Sequence, residues 1–132
     1  EKNIPKYKNT FFTKSLHLFG LYKAKRAIER SNYAFVVEGQ MDCISCHANG
    51  YHCTVGLTGS DLSRYQLYLL KKMTNKIYLL FDNDIAGDKA FDRAHKNYSK
   101  YIKIERLKVP DGYKDVDQYL RESGDCGVFN VC

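Results

Sequence analysis

Apolar residues fall along the chain in short runs that alternate with amphipathic stretches. Residues 33–37, 53–57 and 76–81 are near-continuous apolar runs, each bounded by Gly, Asn, Asp or Ser, as expected of strands buried on both faces of a sheet. Residues 101–107 alternate apolar and charged positions, the pattern of an edge strand. Between them, residues 41–48, 63–74 and 88–98 carry apolar positions at helical spacing. A helix over 21–30 precedes the first strand, with Leu21, Ala24, Ala27 and Ile28 on one face and Lys23, Lys25, Arg26 and Arg30 on the other. Ser63-Arg64-Tyr65-Gln66 has the spacing of a capping box, and a last short helix follows residues 114–118 and stops at Gly124. Strands and helices in strict alternation predict an α/β domain with a four-stranded parallel sheet.

Acids stand where these strands end. Glu38-Gly39 closes the first, and Asp82-Asn83-Asp84-Ile85-Ala86-Gly87 follows the third. The carboxyl edge of an open parallel sheet is where ligands bind, and an extended chain would point Asp82 and Asp84 to the same side. Like charges held together cost energy that a cation offsets. With no His or Cys beside them, the ion expected is hard, Mg²⁺ or Mn²⁺ ahead of zinc. Paired aspartates after a strand also occur in phosphatases, glycosyltransferases and plain turns, so the pair alone selects no reaction.

The 132 residues suffice for one domain with a real core. The net charge of +6 is concentrated at the front, since residues 1–33 hold eight Lys/Arg against two acids and the remainder balances thirteen against thirteen. A basic front joined to a neutral body with clustered acids suits a polyanion held in one region and processed in another. Lysines on a solvated face would look the same. In residues 1–15, Lys6, Lys8 and Lys14 interleave with Tyr7, Phe11 and Phe12, which suits base stacking or a loop pinned by its rings. No apolar run approaches the length of a membrane span, no export leader is visible, and Glu1 is not a natural start. Five cysteines without framework spacing point to reduced thiols and a cytoplasmic setting. Cys43-Ile44-Ser45-Cys46-His47 matches the haem-attachment spacing but falls inside a predicted helix, where Cys acts as a small apolar residue, so neither haem nor zinc is expected.

With Glu38-Gly39-Gln40-Met41-Asp42 at one strand end and Asp82-Asn83-Asp84 at another, the chain resembles a Toprim domain, the Rossmann-like fold shared by DnaG-type primases, type IA and type II topoisomerases and some nucleases. Lys14-Ser15 with Leu18-Phe19-Gly20-Leu21-Tyr22-Lys23-Ala24-Lys25, the loop Gly59-Ser60-Asp61-Leu62-Ser63, and Lys114-Asp115-Val116-Asp117 resemble, in order, the primase branch. Asn83 stands where bacterial primases usually have Gly, and Asp61 where a small apolar residue is usual, which suggests a divergent, phage-type or mobile-element member.

The resemblance implies a basic segment over 1–32, a Toprim core over 33–123 and a tail over 124–132. It implies Mg²⁺ or Mn²⁺ held by Asp82 and Asp84, with Glu38 as a third ligand or as the group handling the proton of the attacking 3′-hydroxyl. Asp42, Asp115 and Asp117 would join the same basin, or serve only as first-turn and capping acids. Lys14, Lys23 and Arg26 would hold nucleotide or template phosphate. The activity implied is RNA primer synthesis on single-stranded DNA from nucleoside triphosphates. A replicative helicase would be contacted through regions beyond this chain. Two other readings stay open: a Toprim nuclease, and a nucleic-acid-binding domain without catalysis.

Overall fold

The computed structural model describes residues 14–59, 61–124 and 127–130. The aromatic and basic positions before Lys14, the Lys14 side chain, Ser60, Cys126 and Cys132 lie outside the described residues. Four strands, β1 (Ala34–Val37), β2 (Thr54–Gly56), β3 (Lys76–Leu80) and β4 (Lys103–Arg106), form a sheet in the order β2-β1-β3-β4. Every pairing is parallel, with Val36 opposite Val55 and Leu79, and Tyr78 opposite Glu105. The helices are α1 (Leu21–Ser31), α2 (Gln40–Ala48), α3 (Arg64–Lys71), α4 (Ile85–Tyr98) and α5 (Val116–Ser123), with short 3-10 turns at Lys14–Leu16 and Gly127–Phe129.

Alternation along the strands divides the core in two. Ala34, Val36, Ile77 and Leu79 face Ala24 and Ile28 of α1, Leu67 and Leu70 of α3, and Ala90 and Ala94 of α4. Phe35, Val37, Tyr78 and Leu80 face Cys43 and Cys46 of α2 and Val116, Tyr119 and Leu120 of α5. The central strands are therefore apolar on both sides, while β4 keeps Lys103 and Glu105 exposed, as its alternating sequence predicts.

The chain order places the site. From β1 the chain passes through α2 to β2 on one side, and from β3 through α4 to β4 on the other. The β1 and β3 carboxyl ends thus flank a topological switch point, where the departing connections diverge and leave a crevice. Glu38 and Asp82 are the first acids after those two strands.

Local chemistry fixes the surroundings. The capping box before α3 forms as its spacing predicts: Gln66 N–H donates to Ser63 Oγ (3.1 Å) and Ser63 N–H to Gln66 Oε1 (2.9 Å). The same pair tethers the chain entering α1, because Ser63 Oγ donates to Ser15 O (2.5 Å) and Gln66 Nε2 to His17 O (2.7 Å). Phe19 then makes an antiparallel bridge to Gly56 on the free side of β2, with N–H···O distances of 2.8 and 3.0 Å.

Two expectations change. Helix α4 begins at Ile85, three residues before the predicted start, because Asp84 caps it by accepting the Gly87 N–H at 2.6 Å. The extended run from β3 also ends before the acids: Asp84 N–H donates to Asp82 O (2.9 Å), so a tight turn separates the two carboxylates and strand alternation does not orient them.

Candidate functional site

A cleft of about 450 Å³ opens at the carboxyl edge of the sheet, lined by Glu38 and Gly39 after β1, Gln40, Met41 and Asp42 in the first turn of α2, Thr58 and Gly59 after β2, and Asp115 and Asp117 at the start of α5, with Asp82 and Asp84 outside its lining. Thr58 holds a left-handed φ of 61° at its rim.

Glu38 and Asp82 meet beside this cleft. Asp82 N–H donates to Glu38 Oε1 at 2.7 Å, so the carboxylate after β1 is seated on the backbone that leaves β3. Burial above all, then the Glu38 carboxylate and the hydrogen bond between the two, with smaller contributions from Asp42 and Asp115, push the Asp82 carboxyl up to about 8. Burial, more than the neighbouring acid, holds the proton there.

A second acidic group joins α2 to α5. Asp42 is buried at the third position of α2, where one oxygen accepts Gly39 N–H (3.3 Å) and the other Asp117 N–H (3.1 Å). Burial raises its carboxyl to about 6, against the lowering effect of the two backbone donors. Asp117 accepts a hydrogen bond from Ser45 Oγ and pairs with Arg121 Nε at 3.2 Å. Asp115 caps α5 through Gln118 N–H (2.9 Å). Capping and cleft-lining coincide at this residue, so the two readings of Asp115 are not exclusive.

Asp84 is exposed and engaged as the α4 cap through Oδ1. Lys23 and Arg26 are exposed on α1 and do not line the cleft, and the Lys14 side chain lies outside the described residues. Arg106, not singled out in the sequence, does local neutralising work: its guanidinium pairs with Asp88 (2.6 Å) and donates to Asp82 O (3.4 Å). It stands in phase with the buried Ile102 and Ile104, a charge where the alternation calls for an apolar residue, a signal that is visible but unspecific. Asn83 is the other missed residue. Its side-chain amide donates to Val109 O (2.9 Å) and Tyr113 O (3.1 Å), and its backbone N–H donates to Lys114 O (2.8 Å). Asn83 thereby ties the turn after β3 to the loop that carries Asp115. Asp61, the other departure from the primase pattern, pairs with Arg93 at 2.7 Å.

Cys43 and Cys46 point into the core with thiols pushed up to about 12 by burial, and His47 Nε2 lies 2.9 Å from Thr54 O. Cys43 and Cys46 are buried packing positions.

The donor chemistry at the switch point fits a hard cation: the groups are carboxylates, and Glu38 and Asp84 each use one named oxygen in a backbone hydrogen bond. Among the described residues no three His, Cys, Asp or Glu side chains converge in the arrangement that would enclose an ion.

A family model described as Toprim-like matches this parallel α/β domain over residues 35–120, and the chain belongs to this family. Within it, the chain's relatives are DNA primases of the DnaG type. The DNA primase of Synechococcus elongatus is 42% identical over 128 residues, covering 89% of this chain and 18% of that protein. A structure of the Aquifex aeolicus primase comprising its zinc-binding and RNA polymerase domains superposes with a TM-score of 0.77 at 36% identity, covering 85% of this chain and 28% of that one. A DnaG primase catalytic domain solved bound to single-stranded DNA gives 0.70 at 29% identity over 84% of this chain and 36% of that one. The chain thus spans between about a fifth and a third of these relatives. Among the described residues, no helix is long and apolar enough to cross a membrane.

Proposed function

We propose that this chain is the metal-binding catalytic module of a DNA primase, acting in Mg²⁺- or Mn²⁺-dependent nucleotidyl transfer that builds RNA primers on single-stranded DNA during replication. The observation that carries the reading is the seating of Glu38 on the Asp82 amide at the switch point, with the Asp82 carboxyl raised to about 8. Carboxylates held together in this way, in a chain whose relatives are primases, are a charge site awaiting a cation.

Glu38, Asp82 and Asp84 would hold the ion, and Asp42, Asp115 and Asp117 would set the potential of the cleft or hold a second one. Bound there, the metal supplies charge neutralisation for the triphosphate and the attacking oxygen. The chain's own part is positioning. The Glu38–Asp82 contact fixes the two strand ends relative to each other. Asp84 locks the first turn of α4, and Asn83 holds the Asp115 loop against it. Glu38 is placed to serve either as a ligand or as the acceptor of the 3′-hydroxyl proton. Lys23 and Arg26, on the exposed basic face of α1, meet nucleotide or template phosphate, and Lys14 is a further candidate for that contact. Nucleoside triphosphates, template and primer are the substrates. A replicative helicase would be met by regions outside this chain, and the isolated 132 residues bind metal without priming efficiently.

One observation favours a second reading, a nucleic-acid-binding Toprim domain without catalysis: the Asp84 carboxylate is already engaged as a helix cap. Calorimetry with Mn²⁺ on the wild type and on an Asp82→Asn, Asp84→Asn variant separates the two. Saturable binding that the variant loses supports the catalytic module. A folded wild type that binds no ion, alone or with a nucleoside triphosphate, supports the binding domain.

A further inference from the structure

Outside the acidic cleft, a groove of about 640 Å³ runs between α3 and the end of α4, lined by Arg64, Tyr68, Lys71, Tyr98, Lys100 and Tyr101. Its walls lie on the helices of the α1, α3 and α4 face, and Tyr98, Lys100 and Tyr101 precede β4, at the opposite edge of the sheet from the acids. Tyr68 and Tyr101 leave 55% and 52% of their surface exposed, a large outlay of aromatic area for a chain that could have buried it. Cations accompany both rings: Lys72 Nζ lies 5.3 Å from the Tyr68 ring centroid and Lys100 Nζ 5.2 Å from that of Tyr101.

No carboxylate among the described residues lines the groove. Among the described residues, Arg64, Lys71, Lys72 and Lys100 form no ion pair, whereas the nearby acids Asp61 and Glu105 are already matched by Arg93 and by Lys76 and Lys103. The result is a strip of unpaired positive charge with aromatic rings set between the cations. A structural surface lysine keeps its charge in water and needs no ring beside it. A single-stranded polynucleotide uses both components, because phosphates meet the cations and unstacked bases meet the ring faces.

We propose that the α3–α4 groove is a second polynucleotide contact, binding single-stranded nucleic acid on the side of the domain away from the acids. The choice of polynucleotide over another polyanion rests on the primase reading, while the groove itself requires no metal. In function it would hold template or displaced strand at a distance from the site of transfer. Binding there is sequence-tolerant, since neither tyrosine rings nor lysines read base edges.

The test is fluorescence anisotropy of a labelled oligothymidylate on the full chain across a salt series. The substituted side chains are exposed, and a thermal melt checks that each variant is folded. Replacing Arg64, Lys71 and Lys100 together by Gln should lower the slope of log K against log[salt] by about 2, at roughly 0.7 for each phosphate no longer neutralised. Tyr68→Ala with Tyr101→Ala should weaken binding by roughly five-fold or more through the loss of stacking, with the slope unchanged. Wild-type affinity and slope in both folded variants would overturn the proposal, as would loss of binding on replacing Lys23 and Arg26 by Gln while the groove variants bind normally. Failure of the metal reading shows in the Mn²⁺ titration, and failure of the groove shows in these salt slopes and affinities.

Discussion

Glu38 and Asp82 lie 44 residues apart in sequence, yet the side chain of one accepts the backbone hydrogen of the other at 2.7 Å, across the gap between the two central strands. That bond makes the acid pair part of the fold, so its protonation is coupled to stability as well as to ligand binding.

Without a divalent ion, the chain should lose stability as pH rises. The Asp82 carboxyl sits at about 8 in the folded chain against 3.8 ordinarily, and Asp42 at about 6, so between these limits the folded state carries protons that the unfolded state has released. Stability from this source is fully present below about pH 4 and is lost progressively from there to about pH 8, the Asp42 share being gone by about pH 6. Melting in the presence of chelator should show a lower Tm near pH 8 than near pH 5. Asp82→Asn should flatten most of that slope and raise Tm at the alkaline end. A Tm that climbs over the same interval in the wild type would refute the assignment.

Gly87 should reject alanine even though it lies in a helix. A Cβ there would stand 2.2 Å from Asp82 O. Helix propensity alone would make Gly87→Ala stabilising by about 0.5–1 kcal/mol, whereas overpacking costs about 1–3 kcal/mol or more. Urea denaturation of Gly87→Ala beside Ala86→Gly decides the sign, and stabilisation at position 87 would contradict the close approach.

Removing the Asn83 side chain should loosen the loop that carries Asp115. Asn83→Ala deprives the Val109 and Tyr113 carbonyls of their donor, at a cost of about 1–3 kcal/mol. Asn83→Gly should cost at least as much. Hydrogen exchange should report faster opening between β4 and α5 in both variants, with α1 unaffected. Uniform protection would remove Asn83 from its bridging role.

Cys43 and Cys46 should resist thiol reagents in the folded chain. Both are buried, with thiols held near 12, so their labelling should follow global unfolding. With Cys126 and Cys132 replaced by Ser, native labelling should occur at the partly exposed Cys53 alone, read by mass spectrometry.

Much of the fold was legible because local signals agreed with tertiary need. Runs such as Tyr78-Leu79-Leu80 are apolar at every position because both sheet faces are covered, and Ser63 with Gln66 announces a helix start through spacing alone. The acids were legible as residues and as strand ends, since β1 and β3 are evident in the sequence. Their orientation was not. Asp84 is a short acid three residues before Gly87, and capping the next helix overrode continuation of the strand. The sequence does not show the role of Gly87, which is to leave room for the Asp82 carbonyl. The contact of Asp42 with the Asp117 amide spans 75 residues, and no local pattern encodes it. Arg106 and Asn83 acquire their roles only when β4 and its following loop are laid beside the turn after β3.

The antiparallel bridge between Phe19 and Gly56 bears on how this protein is handled. It shields the outer edge of β2, and a strand left bare there offers its amides and carbonyls to any neighbouring chain. A truncation beginning just before Ala34 would keep every strand and every acid of the cleft. It would nonetheless uncover that edge along with the apolar surface that Ala24 and Ile28 now cover, and self-association would be its expected fate.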